Sequence, residues 1–346
     1  MPPVPYQAGM DKDLETDVAI VGAGPVGLFA VFELGMLKLG AVLIDALGET
    51  GGQCAALYPE KPIYDIPAHP AITAGELVSR LEHQIAPFHA PRLLGRRVER
   101  LEGEAGAFTL GTDHGERVRA KAVLIAAGAG AFGPNRPPLP GLAAYEATGA
   151  VRYYVRRREE LRGKRVLIAG GGDSAVDWAL ALKDIARVGV VHRRPKFRAA
   201  PESAAQLQAA AARGEVELLI SYQLAALHGS DGILEEVELA TLAGESRRVP
   251  ADALLAFFGL STDLGPIASW GLDLRLHHVR VDPATCQTSL PGVFAIGDVA
   301  QYPGKLKLIL QGFSEAAVAA HAIHAVARPG QALHFEYSTT KGVPSA

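Results

Sequence analysis

The chain has 346 residues, of which 49% are hydrophobic and 21% charged, and its formal net charge is −3. This length suits about two domains with a sizeable core, and the small net charge gives no general attraction to nucleic acid or anionic membranes. No apolar run is long enough to span a bilayer. Two cysteines argue against a secreted disulfide scaffold, and the proline- and acid-rich start lacks the apolar stretch of a signal peptide. We therefore expect a cytoplasmic protein.

The first regular region alternates apolar runs with a helical stretch. Val18–Val21 is an apolar run, a helical stretch follows over about Pro25–Leu39, and Val42–Ile44 is a second apolar run. This order predicts a βαβ unit that opens a parallel sheet.

The turn inside this unit reads GAGPVG and places Gly22, Gly24 and Gly27 in G-x-G-x-x-G spacing. The first glycine makes a tight turn, the second admits a pyrophosphate and the third packs helix on strand. The helix N-terminus offers free N–H groups to the phosphates. Asp45 ends the second strand 23 residues after Gly22, where a carboxylate accepts hydrogen bonds from ribose hydroxyls. The segment predicts a dinucleotide site for a free ribose; the alternative is a glycine-rich turn of another α/β fold.

The middle of the chain contains a long loop and a domain linker. The stretch GETGGQCAALYPEKPIYDIPAHPAIT is rich in Gly and Pro, and a loop of this length usually wraps a ligand. A helical segment, TAGELVSRLEHQIAPF, and short strands follow, ending in the buried strand Ala122–Ala126. The proline-rich GAGAFGPNRPPLPG is a candidate domain boundary.

A second βαβ unit repeats the first with a different charge at its tip. Val166–Ala169 and Val188–Val191 are its strands, Ser174–Ile185 is its helix, and GGGDSA supplies Gly170, Gly172 and Ala175 in the alanine variant of the spacing. His192 corresponds to Asp45, and three arginines follow it: Arg193, Arg194 and Arg198. Arginines would pair with a 2′-phosphate where a carboxylate would repel it. This unit predicts an NADPH site; the alternative is a solvated basic turn.

The last part of the chain supplies further strands and a long helix. Strands are predicted within about Val216–Phe258, and FFGLSTDLGP is the predicted return crossing. GVFAIGD then precedes a helix over about Leu308–Val326. Two dinucleotide sites in one chain suggest an electron relay, in which a flavin takes hydride from NADPH.

The segments GAGPVG, GGQ, GGGDSAVDWAL, HRRPKFRA and GVFAIGD together resemble the thioredoxin-reductase-like flavoproteins over nearly the whole chain. The resemblance implies an α/β fold of two Rossmann-like three-layer dinucleotide-binding domains, with the NADPH domain inserted in the FAD domain. On this basis residues 1–129 and 264–346 form the FAD domain with a C-terminal extension, and residues 130–263 form the NADPH domain.

Within that family, LYPEKPIYDI, LGPIASWGLDL and the tail HFEYSTTKG resemble the ferredoxin–NADP⁺ reductase branch. This implies hydride transfer from NADPH to FAD, then single-electron transfer to ferredoxin or flavodoxin, in a homodimer without a metal or an acid–base catalyst. Tyr58 and Tyr337 would cover the flavin ring; their alternative is core packing. The FAD contacts predicted in all are Gly22, Gly24, Pro25, Gly27, Asp45, Gly52, Gln53, Tyr58, Val98, Phe132, Asp298 and Thr339. The NADP contacts predicted are Gly170, Gly172, Asp173, Ser174, Ala175, His192, Arg193, Arg194 and Arg198.

The cysteines depart from the disulfide-reducing branches. True thioredoxin reductases carry C-x-x-C before the second glycine motif, where this chain has VRYYVRRREEL. Cys54 lies where the glutathione-reductase branch has its first cysteine, but its partner's position is Pro59, and exchange needs a resolving thiol. Two alternatives stay open: a disulfide reductase that uses Cys54 with an external thiol, and a flavin- or NADPH-binding sensor without turnover.

A basic block precedes the second glycine motif. Because ferredoxins are usually acidic, this block is a candidate docking face; the alternative is an ordinary charged surface. Its members are Arg152, Arg156, Arg157, Arg158, Arg162, Lys164 and Arg165.

Overall fold

The computed structural model describes residues 13–333 and 342, except for the side chains of residues 131–132 and 260–262. The chain divides into two compact units. The discontinuous unit comprises Met1–Phe132 and Thr262–Ala346, and the inserted unit comprises Gly133–Ser261.

The helices and strands follow one another in an α/β order. The first segment contains β1 (Asp13–Val21), α1 (Pro25–Met36), β2 (Ala41–Asp45), α2 (Gly52–Ala56), β3 (Pro62–Ile63), β4 (Ile72–Thr73), α3 (Ala74–Ile85), β5 (Arg92–Leu94), β6 (Val98–Glu104), β7 (Ala107–Thr112), β8 (Arg117–Ile125) and β9 (Ala131–Pro134). The middle segment contains α4 (Leu142–Ala147), β10 (Val151–Arg152), β11 (Arg165–Ala169), α5 (Asp173–Leu182), β12 (Arg187–His192), α6 (Pro201–Ala212), β13 (Val216–Ile220), β14 (Tyr222–Ser230), β15 (Ile233–Thr241), β16 (Ser246–Pro250), β17 (Ala253–Ala256) and β18 (Leu260–Asp263). The last segment contains β19 (Leu274–Arg275), β20 (His278–Arg280), β21 (Val293–Ala295), β22 (Ala300–Gln301) and α7 (Ile309–Ala327).

The sheet of the discontinuous unit has the strand order β5-β2-β1-β8-β7-β6, and β21 also pairs with β8. β5, β2, β1, β8 and β21 run parallel, whereas β7 and β6 are antiparallel. β7 and β21 pair with different halves of β8: β7 with residues 117–120, β21 with residues 123–125. The long strand β8 therefore joins the parallel sheet to the antiparallel ribbon.

Alternating strand residues divide the core of this unit into two layers. Val18, Ile20 and Leu124 pack in a cluster with residues of α1, α3 and α7. Ala19, Val21 and neighbouring strand residues pack on the opposite face with the antiparallel ribbon. Because side chains alternate across a strand, the central sheet is covered by helices on one face and by strands on the other, which is a three-layer arrangement.

Local signals explain where the helices begin and end. Pro25 occupies the first turn of α1, where its fixed φ favours the helix. The predicted helix runs to Leu39, but α1 ends at Met36 because Lys38 adopts a left-handed φ of 58°. The N–H groups of Lys38 and Leu39 donate to the carbonyls of Gly35 and Leu34, a Schellman ending formed without glycine.

The inserted unit has its own parallel sheet, with the order β10-β17-β11-β12-β13. A three-stranded antiparallel sheet, β14-β15-β16, follows in the chain. β11, α5 and β12 form the predicted second βαβ unit, although α5 begins at Asp173 and ends at Leu182, earlier than predicted. Both glycine motifs thus lie between a parallel strand and a helix.

Candidate functional site

The carboxyl ends of four parallel strands meet at one edge of the larger sheet. The N–H of Gly22 donates to Ile44 O at 2.8 Å, and the N–H of Ala126 donates to Val21 O at 2.8 Å. The N–H of Ile296 donates to Ile125 O at 2.9 Å. β2 lies on one side of β1 in the sheet, and β8 lies on the other side. The strand order therefore reverses next to β1, and parallel sheets bind ligands at the carboxyl edge of such a switch point.

The first glycine turn is closed toward the protein and open on its outer side. Gly22 has φ 115°, and a Cβ on it would collide with Ala126 O. A Cβ on Gly27 would collide with Gly22 O. Around Gly24, in contrast, no described atom lies within 4 Å of the position that a Cβ would take. The turn therefore has the shape that a pyrophosphate requires.

Asp45 closes this turn from the end of β2. Its Oδ2 accepts the N–H of Ala23 at 2.6 Å, and its Oδ1 accepts the N–H of Leu47 at 2.8 Å. Burial raises the pKa of Asp45, while the two N–H donors oppose that shift. A carboxylate offers about four acceptor positions. The two backbone bonds fix the orientation of Asp45 and leave acceptor capacity for ribose hydroxyls.

The GGQ segment lies against the same turn. The N–H of Gly51 donates to Ala23 O at 2.8 Å. A Cβ on Gly52 would lie 3.2 Å from Gly24 Cα, so a glycine is required for this approach. Gly52 and Gln53 begin α2, and both are therefore held beside the open face of Gly24.

Cys54 and Tyr58 lie next to one another at the end of this segment. Cys54 is 3% exposed, Tyr58 is half-buried, and the hydroxyl of Tyr58 lies beside the Cys54 thiol. Burial raises the pKa of Cys54 to about 11, and burial also raises the pKa of Tyr58. The negative charge of Asp298 raises both values further. Tyr58 is therefore near Asp298, and the Cys54 thiol stays protonated at neutral pH.

Asp298 lies on the short 3₁₀ turn Gly297–Val299, directly after β21. Its side chain is exposed. The preceding Gly297 has φ 74° and donates its N–H to Glu315 Oε2 at 2.7 Å. The side chain of Glu315, from α7, thus holds this turn on its protein side, while Asp298 is exposed on the other side.

The remaining predicted FAD contacts divide into described and undescribed residues. The N–H of Arg96 donates to Asp45 O at 2.9 Å, and Val98 follows two residues later as the buried first residue of β6. The side chain of Phe132, and all of Tyr337 and Thr339, lie outside the described residues.

The second glycine turn repeats the open geometry. Around Gly172 no described atom lies within 4 Å of a Cβ position. Asp173 and Ser174 are exposed at the start of α5, and Ala175 is buried. Gly171 was not predicted as a site residue, yet a Cβ there would overlap the imidazole ring of His192. The uninterrupted GGG was the available signal.

The arginine loop after β12 folds back onto this turn. The N–H of Arg198 donates to Gly171 O at 2.7 Å, and the N–H of Ala200 donates to Asp173 Oδ1 at 2.8 Å. The imidazole of His192 stacks on Phe197, with ring centroids 5.2 Å apart. The three arginines of this loop are exposed: Arg193, Arg194 and Arg198.

His192 contributes shape and not charge to this loop. Burial lowers its pKa, and the nearby positive charges of Arg198, Arg193 and Arg194 lower it further. The imidazole is therefore neutral near pH 7. The positive potential beside the second glycine turn comes from the exposed guanidinium groups.

The basic block before β11 carries its own counter-ions. Three of its seven cations form ion pairs, and for these three the interpretation as an ordinary charged surface is favoured, because their charge is already balanced by an anionic partner. The ion pairs are Arg152 with Glu160 at 2.6 Å, Arg162 with Glu159 at 2.6 Å and Arg165 with Asp252 at 2.5 Å.

A model of the pyridine nucleotide-disulphide oxidoreductase family matches residues 16–323. The chain belongs to that family. A relative from Acidiphilium cryptum named ferredoxin–NADP reductase is 74% identical over 97% of this chain and 99% of its own length. A relative of the same name from Granulibacter bethesdensis is 70% identical over 98% of this chain and 97% of its own length.

Two solved structures of thioredoxin reductases are similar to this chain in fold. The Lactococcus lactis enzyme has a TM-score of 0.78 at 24% identity and covers 90% of this chain and 99% of its own. The T. acidophilum enzyme has a TM-score of 0.78 at 23% identity, with 90% and 98% covered. These likenesses confirm the predicted fold class of two Rossmann-like domains.

Both cysteines of this family member are buried and free. Burial raises the pKa of Cys286 to about 12, as it raises that of Cys54. Within the ranges that the structure covers, no three His, Cys, Asp or Glu side chains are grouped as a metal site. Over the same ranges, no helix combines the length and apolar character needed to cross a membrane.

Proposed function

We propose that the chain is an FAD-dependent NADPH–ferredoxin oxidoreductase. The observation that carries this proposal is the pair of glycine turns, both open at the second glycine, with a carboxylate beside one and three exposed arginines beside the other. FAD, when bound, supplies the redox chemistry: it accepts a hydride from NADPH and reduces two ferredoxins by one electron each, with release of a proton.

The discontinuous unit binds FAD. Gly24 leaves room for the pyrophosphate, and the first N–H groups of α1 stabilise its charge. Asp45 accepts the ribose hydroxyls, and Val98 packs near the adenosine end. At the other end of the cofactor, Asp298 binds the ribityl chain. The residues fit the group, since open space, N–H donors and a fixed carboxylate occur together at one sheet edge.

The inserted unit binds NADPH at its own glycine turn. The open face of Gly172 admits the pyrophosphate. Arg193, Arg194 and Arg198 recognise the 2′-phosphate, because guanidinium groups form paired, charge-assisted bonds with phosphate. The imidazole of His192 packs against the Gly171 backbone and is neutral, so the charge of this loop comes from the arginines.

Tyr58 covers one face of the flavin ring. Its hydroxyl lies beside the Cys54 thiol, and Lys61 Nζ lies 5.8 Å from the centroid of its ring. An aromatic side chain packed in this way restricts the orientation of a stacked ring and keeps water from it. We extend the same role to Tyr337 from the resemblance alone, and we assign no acid–base catalyst.

Disulfide reduction is the less favoured activity. Thiol exchange requires a thiolate and a resolving thiol, whereas Cys54 is buried and protonated at neutral pH. Ferredoxin as the acceptor is favoured by the full-length relatives that carry the name ferredoxin–NADP reductase. Flavodoxin as a second acceptor, a homodimer and a cytoplasmic location remain predictions.

The purified protein tests this proposal directly. It is reconstituted with FAD, and NADPH oxidation is followed with ferredoxin, flavodoxin and a thioredoxin-like disulfide as separate acceptors. We expect a yellow protein that reduces ferredoxin and not the disulfide. A protein that binds no FAD, or that turns over the disulfide alone, would contradict the proposal.

A further inference from the structure

A buried ion pair lies directly beneath the turn that carries Asp298. Lys305 Nζ donates to Glu315 Oε1 at 2.5 Å, and the two side chains are 2% and 4% exposed. Glu315 belongs to α7, whose other buried residues are mostly alanines. A charged pair of this burial gains little net stability, because desolvation offsets the attraction. The role of the Lys305–Glu315 pair therefore follows from the neighbouring groups to which Glu315 is hydrogen-bonded.

The two carboxylate oxygens of Glu315 have different hydrogen-bond partners. Oε1 accepts the hydroxyl of Tyr302 at 2.5 Å in addition to Lys305, and Gln311 Nε2 donates to the Tyr302 oxygen at 2.8 Å. Burial and the charge of Glu315 raise the pKa of Tyr302, so this hydroxyl stays a donor. With Oε1 occupied, Oε2 is aimed at the N–H of Gly297, 2.7 Å away.

Gly297 is the backbone position that sets the direction of Asp298. Its φ of 74° lies in the left-handed region, which glycine adopts without steric cost and leaves as readily, so the direction of the turn depends on the bonds that hold it. A Cβ on Gly312, in the first turn of α7, would lie 3.4 Å from Gly297 Cα. Glu315 and Gly312 therefore support the same turn from the same helix.

We propose that Glu315 is a positioning residue that fixes the Gly297 amide and thereby orients the Asp298 carboxylate toward the flavin. Lys305 and Tyr302 bind Oε1 of Glu315 and thereby direct Oε2 toward the Gly297 amide. This role rests on the proposed function, since it assumes that Asp298 binds FAD. Glu315 acts through the turn and does not itself touch the cofactor.

Two double variants separate the Gly297 bond from the ion pair. Lys305→Met/Glu315→Gln removes both charges and keeps an oxygen that can accept from Gly297. Lys305→Met/Glu315→Met removes the same charges and the acceptor, with a side chain of similar length. We expect the second to bind FAD about tenfold more weakly than the first. The dissociation constants are measured by flavin fluorescence on apoproteins whose folding is checked by circular dichroism.

Combining each double variant with Asp298→Ala tests whether the difference in FAD affinity depends on Asp298. In the Asp298→Ala background the two double variants should differ less than about twofold, because coupled residues are not additive. Equal FAD dissociation constants for the two double variants would overturn the role of Glu315. A tenfold difference that persists without Asp298 would overturn it as well.

Amide exchange at Gly297 in the wild-type apoprotein gives a readout that needs no variant. We expect slow exchange, since the N–H is bonded and buried; exchange at the rate of an exposed amide would overturn the proposal even if the Met variant does not fold. A wild type that binds no FAD would remove the proposed function itself. A wild type that binds FAD and reduces ferredoxin while both double variants bind FAD equally would remove only the role of Glu315.

Discussion

The two glycine turns share a backbone and differ in the charge beside it. Each lies between a parallel strand and a helix, and each is open at its second glycine. Beside the first, Asp45 is held by two backbone N–H groups. Beside the second, a neutral His192 is surrounded by exposed arginines. Under the proposed function, this difference means that the turn receives a pyrophosphate in both units and that the tip of the next strand distinguishes FAD from NADPH.

Blocking the open face of each turn should have the largest effect. Gly24 and Gly172 both have extended backbone and no described atom near a Cβ position, so Gly24→Val and Gly172→Val should fold normally. We expect Gly24→Val to weaken FAD binding by about 100-fold or more while NADPH binding persists, and Gly172→Val to do the reverse. Equilibrium binding of each nucleotide to each variant checks this, and a parallel loss of both would break the comparison.

Removing the positive charge should abolish nucleotide selection at the second turn. Arg193→Ala/Arg194→Ala should raise the KM for NADPH by roughly 10- to 100-fold and leave the KM for NADH nearly unchanged, because only NADPH carries the 2′-phosphate. Steady-state kinetics with both nucleotides measures the split. Arg187→Ala, at the other end of β12, is the matched control. An equal rise for NADPH and NADH would refute the phosphate role.

A third test compares an aspartate clamp in each unit. Asp17 binds Arg328 at 2.5 Å and Lys121 at 2.9 Å, and its side chain is 13% exposed. Asp252 binds Arg165 at 2.5 Å but is 37% exposed. Because solvent screens exposed pairs, Asp17→Asn should lower the free energy of unfolding by about 2 kcal/mol, and Asp252→Asn by less than about 1 kcal/mol. Urea unfolding of both variants measures the difference, and equal losses would contradict it.

The pH dependence of the Asp17 clamp has a definite sign. Burial opposes the shift, but hydrogen bonds from Arg328 and Lys121 lower the pKa of Asp17 from 3.8 to about 2. A lowered pKa in the folded state means that the stabilisation is fully present above about pH 4 and is lost as the pH falls toward 2. The difference in melting temperature between wild type and Asp17→Asn should therefore shrink over that range. A difference that is constant between pH 5 and pH 2 would show that the charge of Asp17 is not responsible.

The smallest effect is expected at Cys54. Cys54→Ser keeps a small side chain at this buried position and removes only a thiol that stays protonated, so ferredoxin reduction should change less than about twofold in a steady-state assay. A loss of ferredoxin reduction in Cys54→Ser would show that the Cys54 thiol takes part in the reaction.

Much of the fold could be predicted from the sequence because its signals are local. Apolar runs, glycine spacing and helix periodicity lie within about 30 residues of one another in each βαβ unit, and both units occur at the predicted places. The predicted end of α1, at Leu39 instead of Met36, was wrong because the local signal was missing. Lys38 adopts a conformation that usually needs glycine, so no residue type marked the Schellman ending.

The two tips were also predictable, because the residue after a parallel strand is fixed in position by the strand itself. Asp45 and the arginine loop therefore follow from sequence alone. The tertiary structure decided which distant side chains meet them. Glu315 bonds to Gly297 across 18 residues, and Asp298 raises the pKa of Tyr58 across a far longer separation. Such contacts depend on how helices and strands pack, and neither composition nor spacing encodes a partner at that distance.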